Sequence, residues 1–208
     1  MIIRREEEKD YLEVERLTRE AFWDVYRPGC VEHFMLHQMR TDPAFIPELD
    51  YVIEEEGRIV ANIVYTKVEI IKEDGSSTFG LVFGPISVLK SVQNKGYGST
   101  IIRYTLDLAK EMGYPCVLIT GHPDYYHRFG FESATNYGFY YPGYPKKDSN
   151  LEDSKSQDIS PFFMIKWLAS KPFITPGEYH DPSCYSINEE AMQAFDKEFV
   201  KIDKLRLV

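Results

Sequence analysis

Between Gly84 and Gly113 the chain reads as a strand, a glycine turn and a helix, and no other stretch restricts the fold as much. The turn, Gln93-Asn94-Lys95-Gly96-Tyr97-Gly98, precedes an apolar-periodic run that carries Ile101, Ile102, Leu106, Leu108 and Ala109 and stops at Gly113, so a helix is predicted over Gly98–Met112. A helix start has unpaired N–H groups and about half a positive charge, and glycines just ahead of it let a phosphate reach those donors. The same glycines also serve as plain tight-turn chemistry. A P-loop is excluded, because no Gly-x-x-x-x-Gly-Lys-Ser/Thr run exists, and a dinucleotide fingerprint fails because Ile101 stands where the third glycine belongs. On the strand side, Gly84-Pro85 breaks a ladder that proline cannot feed and glycine weakens, so a bulge or splay is expected there.

Gln93 lies three residues before Gly96, giving Gln-x-x-Gly-x-Gly. That spacing resembles the pyrophosphate loop of the GCN5-related N-acetyltransferases (GNAT). Downstream, Gly121-His122-Pro123-Asp124-Tyr125-Tyr126-His127-Arg128-Phe129-Gly130-Phe131 resembles the second signature of that superfamily, with Tyr126 four residues before the Gly130-Phe131 pair. Its Tyr-Tyr and Arg-Phe-Gly-Phe form is similar to one bacterial branch, the YhbS-like predicted acetyltransferases. The resemblance covers residues 1 to 145. It implies a mixed α/β fold, a central, mostly antiparallel sheet of about six to seven strands, splayed at the cofactor site and flanked by helices on both faces.

Length and composition are consistent with this. A chain of 208 residues, 43% hydrophobic and 14% aromatic, suits one domain with an ample core, here a core over 1–145, a loop over 146–160 and a C-terminal strand and helix within 161–208. The 15 Tyr and 13 Phe crowd the region after position 122, which suggests an aromatic wall besides ordinary packing. With 24 basic and 33 acidic residues the net charge is −9, which argues against nucleic acid and favours cationic substrates such as amines. The N-terminus does not read as a signal peptide, no membrane span is expected, and Cys30, Cys116 and Cys184 are read as buried free thiols of a cytoplasmic protein.

Along the chain, a first strand is expected over 1–5, helices over Asp10–Phe22 and Val31–Met39, strands over Tyr51–Glu55, Arg58–Ile71 and Ser77–Val88 as a meander, and a strand over Cys116–Thr120. Pro123–Phe129 reads as a helical turn, Gly138–Tyr141 as strand-like, 142–160 as loop, Phe162–Ala169 as strand, 171–184 as loop and Asn188–Phe199 as a helix.

The resemblance implies acetyl-CoA as co-substrate, no metal, and direct transfer of acetyl to a primary amine, with donor and acceptor bound together. Gln93, Asn94, Lys95, Gly96, Tyr97, Gly98, Ser99 and Thr100 would hold the pyrophosphate, and the backbone of Ile86, Ser87 and Val88 the pantetheine arm. Tyr126 would be the general acid, with Tyr125 beside it, and His122 the base, with Asp124, Glu69 or an ordered water chain as alternatives. His33 and His37, four apart on one helix, read as surface or acceptor-pocket residues rather than metal ligands. The acceptor, a small and cationic amine, would be chosen by Phe22–Met39 and Tyr137–Tyr144. The partners expected are that small molecule alone, with no nucleic acid and no membrane, in a monomer or homodimer. The alternative function is a non-catalytic coenzyme A sensor, which would have no use for Tyr126.

Overall fold

A computed structural model describes residues 1–142, 161–169 and 174–205. The loop expected over 146–160, Tyr144 and part of the 171–184 loop lie outside the described residues. The elements in chain order are β1 (Ile2–Arg5), α1 (Tyr11–Phe22), α2 (Glu32–Met39), β2 (Tyr51–Glu55), β3 (Arg58–Ile71), β4 (Ser77–Val88), α3 (Tyr97–Glu111), β5 (Cys116–Thr120), α4 (Pro123–Tyr126), β6 (Glu132–Ser133), β7 (Phe163–Trp167), β8 (Glu178–His180) and α5 (Glu189–Asp196). The strands run in the order β1-β2-β3-β4-β5-β7-β6, with β8 paired to β3. Every registered pairing is antiparallel except that of β4 with β5, as the strand–helix–strand crossover through α3 requires.

The chain forms two compact units, Met1–Thr66 with Gly84–Thr105 and Ser183–Val208, and Lys67–Phe83 with Leu106–Pro182. In the first, Val14 and Leu17 of α1 and Leu36 and Met39 of α2 pack with Val52, Ile59, Val64, Leu89 and Cys184. Adjacent strand residues point to opposite faces, so Tyr65 turns away from that cluster, and its hydroxyl meets Thr105 of α3 at 2.9 Å. Helices thus flank both faces of β3. α1 buries Val14, Leu17 and Thr18, whereas Leu12, which the helical spacing assigns to the apolar stripe, is 50% exposed. The buried positions beside them are charged and paired: Glu15 accepts from Arg40 at 2.6 Å, and Arg19 donates to Asp196 at 2.7 Å.

In the second unit β5 and β7 pair over five residues, from Cys116 opposite Trp167 to Thr120 opposite Phe163. Two strands here were not expected from the sequence. β6 is two residues long, and β8 sits in a stretch read as loop, against Glu69–Ile71 of β3. A Cβ on Gly177 would come within 2.3 Å of the Ile71 carbonyl oxygen, so this glycine lets β8 approach. The strand expected over Gly138–Tyr141 reduces to a single bridge between Tyr140 and Glu178.

Candidate functional site

The first unit holds the glycine turn. After β4 the chain makes one 3₁₀ turn over Lys90–Val92, then Asn94 and Gly96 take φ of 63° and 92°, and α3 opens at Tyr97, one residue earlier than expected. The N–H of Thr100 closes the first turn on the Gly96 carbonyl at 2.9 Å, so the N–H groups of Tyr97, Gly98 and Ser99 precede the first intrahelical partner. Nothing lies within 4 Å of where a Cβ on Gly96 would stand. The turn therefore has open space at Gly96, just ahead of the backbone donors that start α3, which fits a phosphate. Gln93 has a partner within the fold. Its Nε2 donates to the Val88 carbonyl at 3.1 Å, which ties the turn to the end of β4. Tyr97 donates its hydroxyl to Glu55, and that carboxylate raises the phenol's pKa. Asn94 and Lys95 are exposed, and Ser99 and Thr100 half-buried.

The strand leading into this turn runs unbroken over Ser77–Val88, through Gly84-Pro85, but its parallel pairing with β5 gives out before them. The peptide between the two is cis, and the parallel register of β4 with β5 consists of one pair, Leu81 with Val117, three residues short of Gly84. On the β3 side, Leu89 still donates to Val60 at 2.9 Å, so the outgoing segment stays anchored. Ile86 and Val88 are half-buried. Ser87 is buried, and its Oγ donates to Thr18 of α1 at 2.9 Å, so only its backbone remains for an extended ligand.

The second unit holds the aromatic turn. His122 caps α4 in an extended conformation, α4 passes into a 3₁₀ turn over His127–Phe129, and Gly130 ends it at φ 80°. The rings of Phe83, Phe129 and Phe131 lie 6.0, 6.3 and 5.8 Å from that of Tyr126. Tyr125 meets Tyr126 edge-on at 5.0 Å and carries the Arg128 guanidinium 4.8 Å above its face. Gly121, at the end of β5, is what admits the Tyr126 ring: a Cβ there would stand 2.2 Å from its Cε2. The sequence marks Gly121 as part of the signature without showing why. His122 is 68% exposed in its side chain, and its Nδ1 lies 3.7 Å from Asp124. Glu69, also exposed, sits opposite His180 in the β3–β8 ladder.

A family model described as an acetyltransferase (GNAT) domain matches residues 2–134. The chain belongs to the GNAT family. It is 30% identical over 136 residues to the uncharacterized N-acetyltransferase YjhQ of Escherichia coli K12, a match covering 65% of this chain and 70% of that protein. With YhbS of the same organism, also named an uncharacterized N-acetyltransferase, identity is 27%, over 66% and 77% of the two chains. In fold the GNAT chain resembles the crystal structure of E. coli YhbS in complex with CoA, with a TM-score of 0.71 at 22% identity over 88% and 91% of the chains. It also resembles a GNAT acetyltransferase from Brucella melitensis in complex with acetyl-CoA, with a TM-score of 0.67 at 23% identity over 89% and 97%. The open mixed sheet flanked by helices is thus the GNAT fold, and this GNAT chain is an acyltransferase.

Of the other side chains singled out in the sequence, one departs from its expected place. His33 is not a surface residue. It is fully buried against Phe195 and Phe199, and burial above all holds its pKa down to about 4, with Asp196 opposing. His37 pairs with Glu15 at 2.9 Å, so the two histidines face different carboxylates. The three cysteines are buried free thiols, and burial pushes Cys30 and Cys116 up to about 12, far from a nucleophile's range. No helix among the described residues is long and apolar enough to cross a membrane.

Proposed function

We propose that the protein transfers acetyl from acetyl-CoA to a primary amine of a small molecule, directly, with both reactants bound. The observation that carries this reading is the turn at Asn94–Ser99, where positive φ at Asn94 and Gly96 and the open space at Gly96 stand directly ahead of the first N–H groups of α3. Those groups would take the pyrophosphate, with Lys95 and the hydroxyls of Ser99 and Thr100 beside them, while the backbone of Ile86, Ser87 and Val88 takes the pantetheine amides as a false strand. When bound, acetyl-CoA supplies a thioester: the amine nitrogen bonds to the acetyl carbon and the C–S bond breaks, leaving a thiolate.

Holding both reactants in place is worth about 7–11 kcal/mol and needs no special side chain. Freeing a lysine-like amine of its proton at neutral pH costs about 4–5 kcal/mol. His122, exposed and 3.7 Å from Asp124, or water takes that proton. Tyr126 would give its phenolic proton to the thiolate and be restored by the second proton that the acylated nitrogen sheds, with its ring held against Gly121 by four neighbouring aromatic rings. A cationic acceptor agrees with the net charge of −9 and with Asp181, which accepts hydrogen bonds from the hydroxyls of Tyr141 and Tyr179.

A thiol-release assay with acetyl-CoA across amines of differing charge tests this. The parent should release thiol with a cationic amine, and Tyr126→Phe should lower kcat by about a hundred- to ten-thousand-fold with coenzyme A affinity unchanged. Preference for neutral or anionic acceptors would remove the charge argument. Release by neither protein, with coenzyme A still bound, would leave a binding module.

A further inference from the structure

The 3₁₀ turn Ser183–Tyr185 lies beyond the 2–134 reach of the family match, yet the first unit positions it tightly. Ser183 donates to Asp42 at 2.5 Å, Gln38 of α2 donates from Nε2 to the carbonyls of Cys184 and Ser186, and Ser186 N–H closes on Ser183 at 3.0 Å. Cys184 is 4% exposed among Leu36, Met39 and Leu89. Between these anchors Tyr185 is half-buried, and its hydroxyl donates to the carbonyl of Gly84 at 3.1 Å.

We infer that Tyr185 orients the acceptor nitrogen at the reacting end of the donor, an inference that rests on the acetyl-CoA reading above. With the pyrophosphate at Gln93–Thr100 and the arm running back along Val88, Ser87 and Ile86, the thioester end arrives at Gly84-Pro85. That is where the Tyr185 hydroxyl is held. Its proton is committed to the Gly84 carbonyl, and a phenol oxygen also accepts hydrogen bonds, so it receives an N–H of the amine and transfers no proton. The turn is carried by α2, within the segment assigned to acceptor choice, so one structure links the acceptor side to Gly84 of β4.

The test uses the full chain labelled with 3-fluorotyrosine, with the signals of Tyr185 and Tyr97 assigned among the 15 tyrosines by their loss in Tyr185→Phe and Tyr97→Phe. Acetyl-CoA should shift both ¹⁹F resonances. Adenosine 3′,5′-bisphosphate, which lacks the arm, should shift Tyr97 and leave Tyr185 in place. A Tyr185 signal unmoved by acetyl-CoA while Tyr97 moves overturns the inference and spares the cofactor reading. If neither signal moves, the cofactor reading fails and the inference with it. With an active amine, Tyr185→Phe should raise the acceptor KM by about twofold to tenfold and leave the acetyl-CoA KM within about twofold. A purely structural tyrosine would instead lower the melting temperature and move both KM values together.

Discussion

The two units hold their candidate site segments by opposite means. In the first, the turn at Gln93–Gly96 is exposed and shaped by backbone: two positive φ angles, one amide tether to Val88, and a helix start. In the second, the turn around Tyr126 is shaped by ring packing on a glycine, with Phe129 and Phe131 buried beneath it. On the proposed reading the first segment presents N–H groups to an anion and cannot cover them with side chains, so conformation has to do the holding. On the same reading Tyr126 acts through its hydroxyl alone, so the rest of its ring is available for packing. The same contrast extends to ionisable groups: the first unit buries the side chains of Arg19, Arg40 and Glu15 in paired arrangements and encloses His33 3.2 Å from Asp196, whereas the aromatic turn keeps His122 and Asp124 in solvent.

The largest predicted difference appears in acid. His33 has its pKa held at about 4, below the ordinary 6.5, chiefly by burial. The fold therefore favours the neutral ring. Its contribution is intact above pH 6.5 and is lost as pH falls toward 4, reaching about 3 kcal/mol. Urea unfolding of Trp167→Phe, followed by Trp23, which stacks under Arg19 in the first unit, should show that loss between pH 7 and pH 4. His33→Phe should flatten the curve, and an unchanged slope in that variant would assign the acid loss to other groups.

Next comes Gly121→Ala. The new Cβ displaces the Tyr126 ring, so stability should fall by about 1–3 kcal/mol and kcat should drop as in Tyr126→Phe, while coenzyme A affinity holds. Calorimetric binding that weakened equally would break the division between the two segments. Gly96→Ala reverses that pattern. It meets no atom, so its cost is the left-handed backbone alone, about 1–2 kcal/mol, and the loss should fall on coenzyme A binding. The smallest effect is expected for Gln93→Ala. Losing the tether to Val88 should cost about 1 kcal/mol of coenzyme A affinity, and no loss at all would mean that Lys90–Val92 holds the turn without it.

The meander and its crossover were legible in advance because their signals are local. Glu56-Gly57 and the alternation of β3 define β2 and β3, and Cys116–Thr120 is bounded by Pro115 and Gly121, so these strands run between the residues the pattern indicates. β8 was not legible, since its three residues carry no periodicity and exist as a strand only because Glu69–Ile71 lies opposite. His33 was misread for a related reason. On α2 alone it looks like any polar residue, and only α5, arriving from far along the chain with Phe195 and Asp196, buries it. Tyr185 gave no signal at all, because its meaning comes from a hydrogen bond to a residue 101 positions away.

By itself, then, the sequence determined the strand–turn–helix, the weak pairing of β4 with β5 toward Gly84-Pro85 and the aromatic signature, because glycine, proline and periodicity act over a few residues. Tertiary structure alone decided which side chains those backbones leave in play. It gave Ser87 to Thr18 and Gln93 to Val88, seated the Tyr126 ring on Gly121, and brought Tyr185 to Gly84. Such pairings are set by packing and by the demand that buried polar groups find partners, and both are satisfied across the whole chain rather than along it.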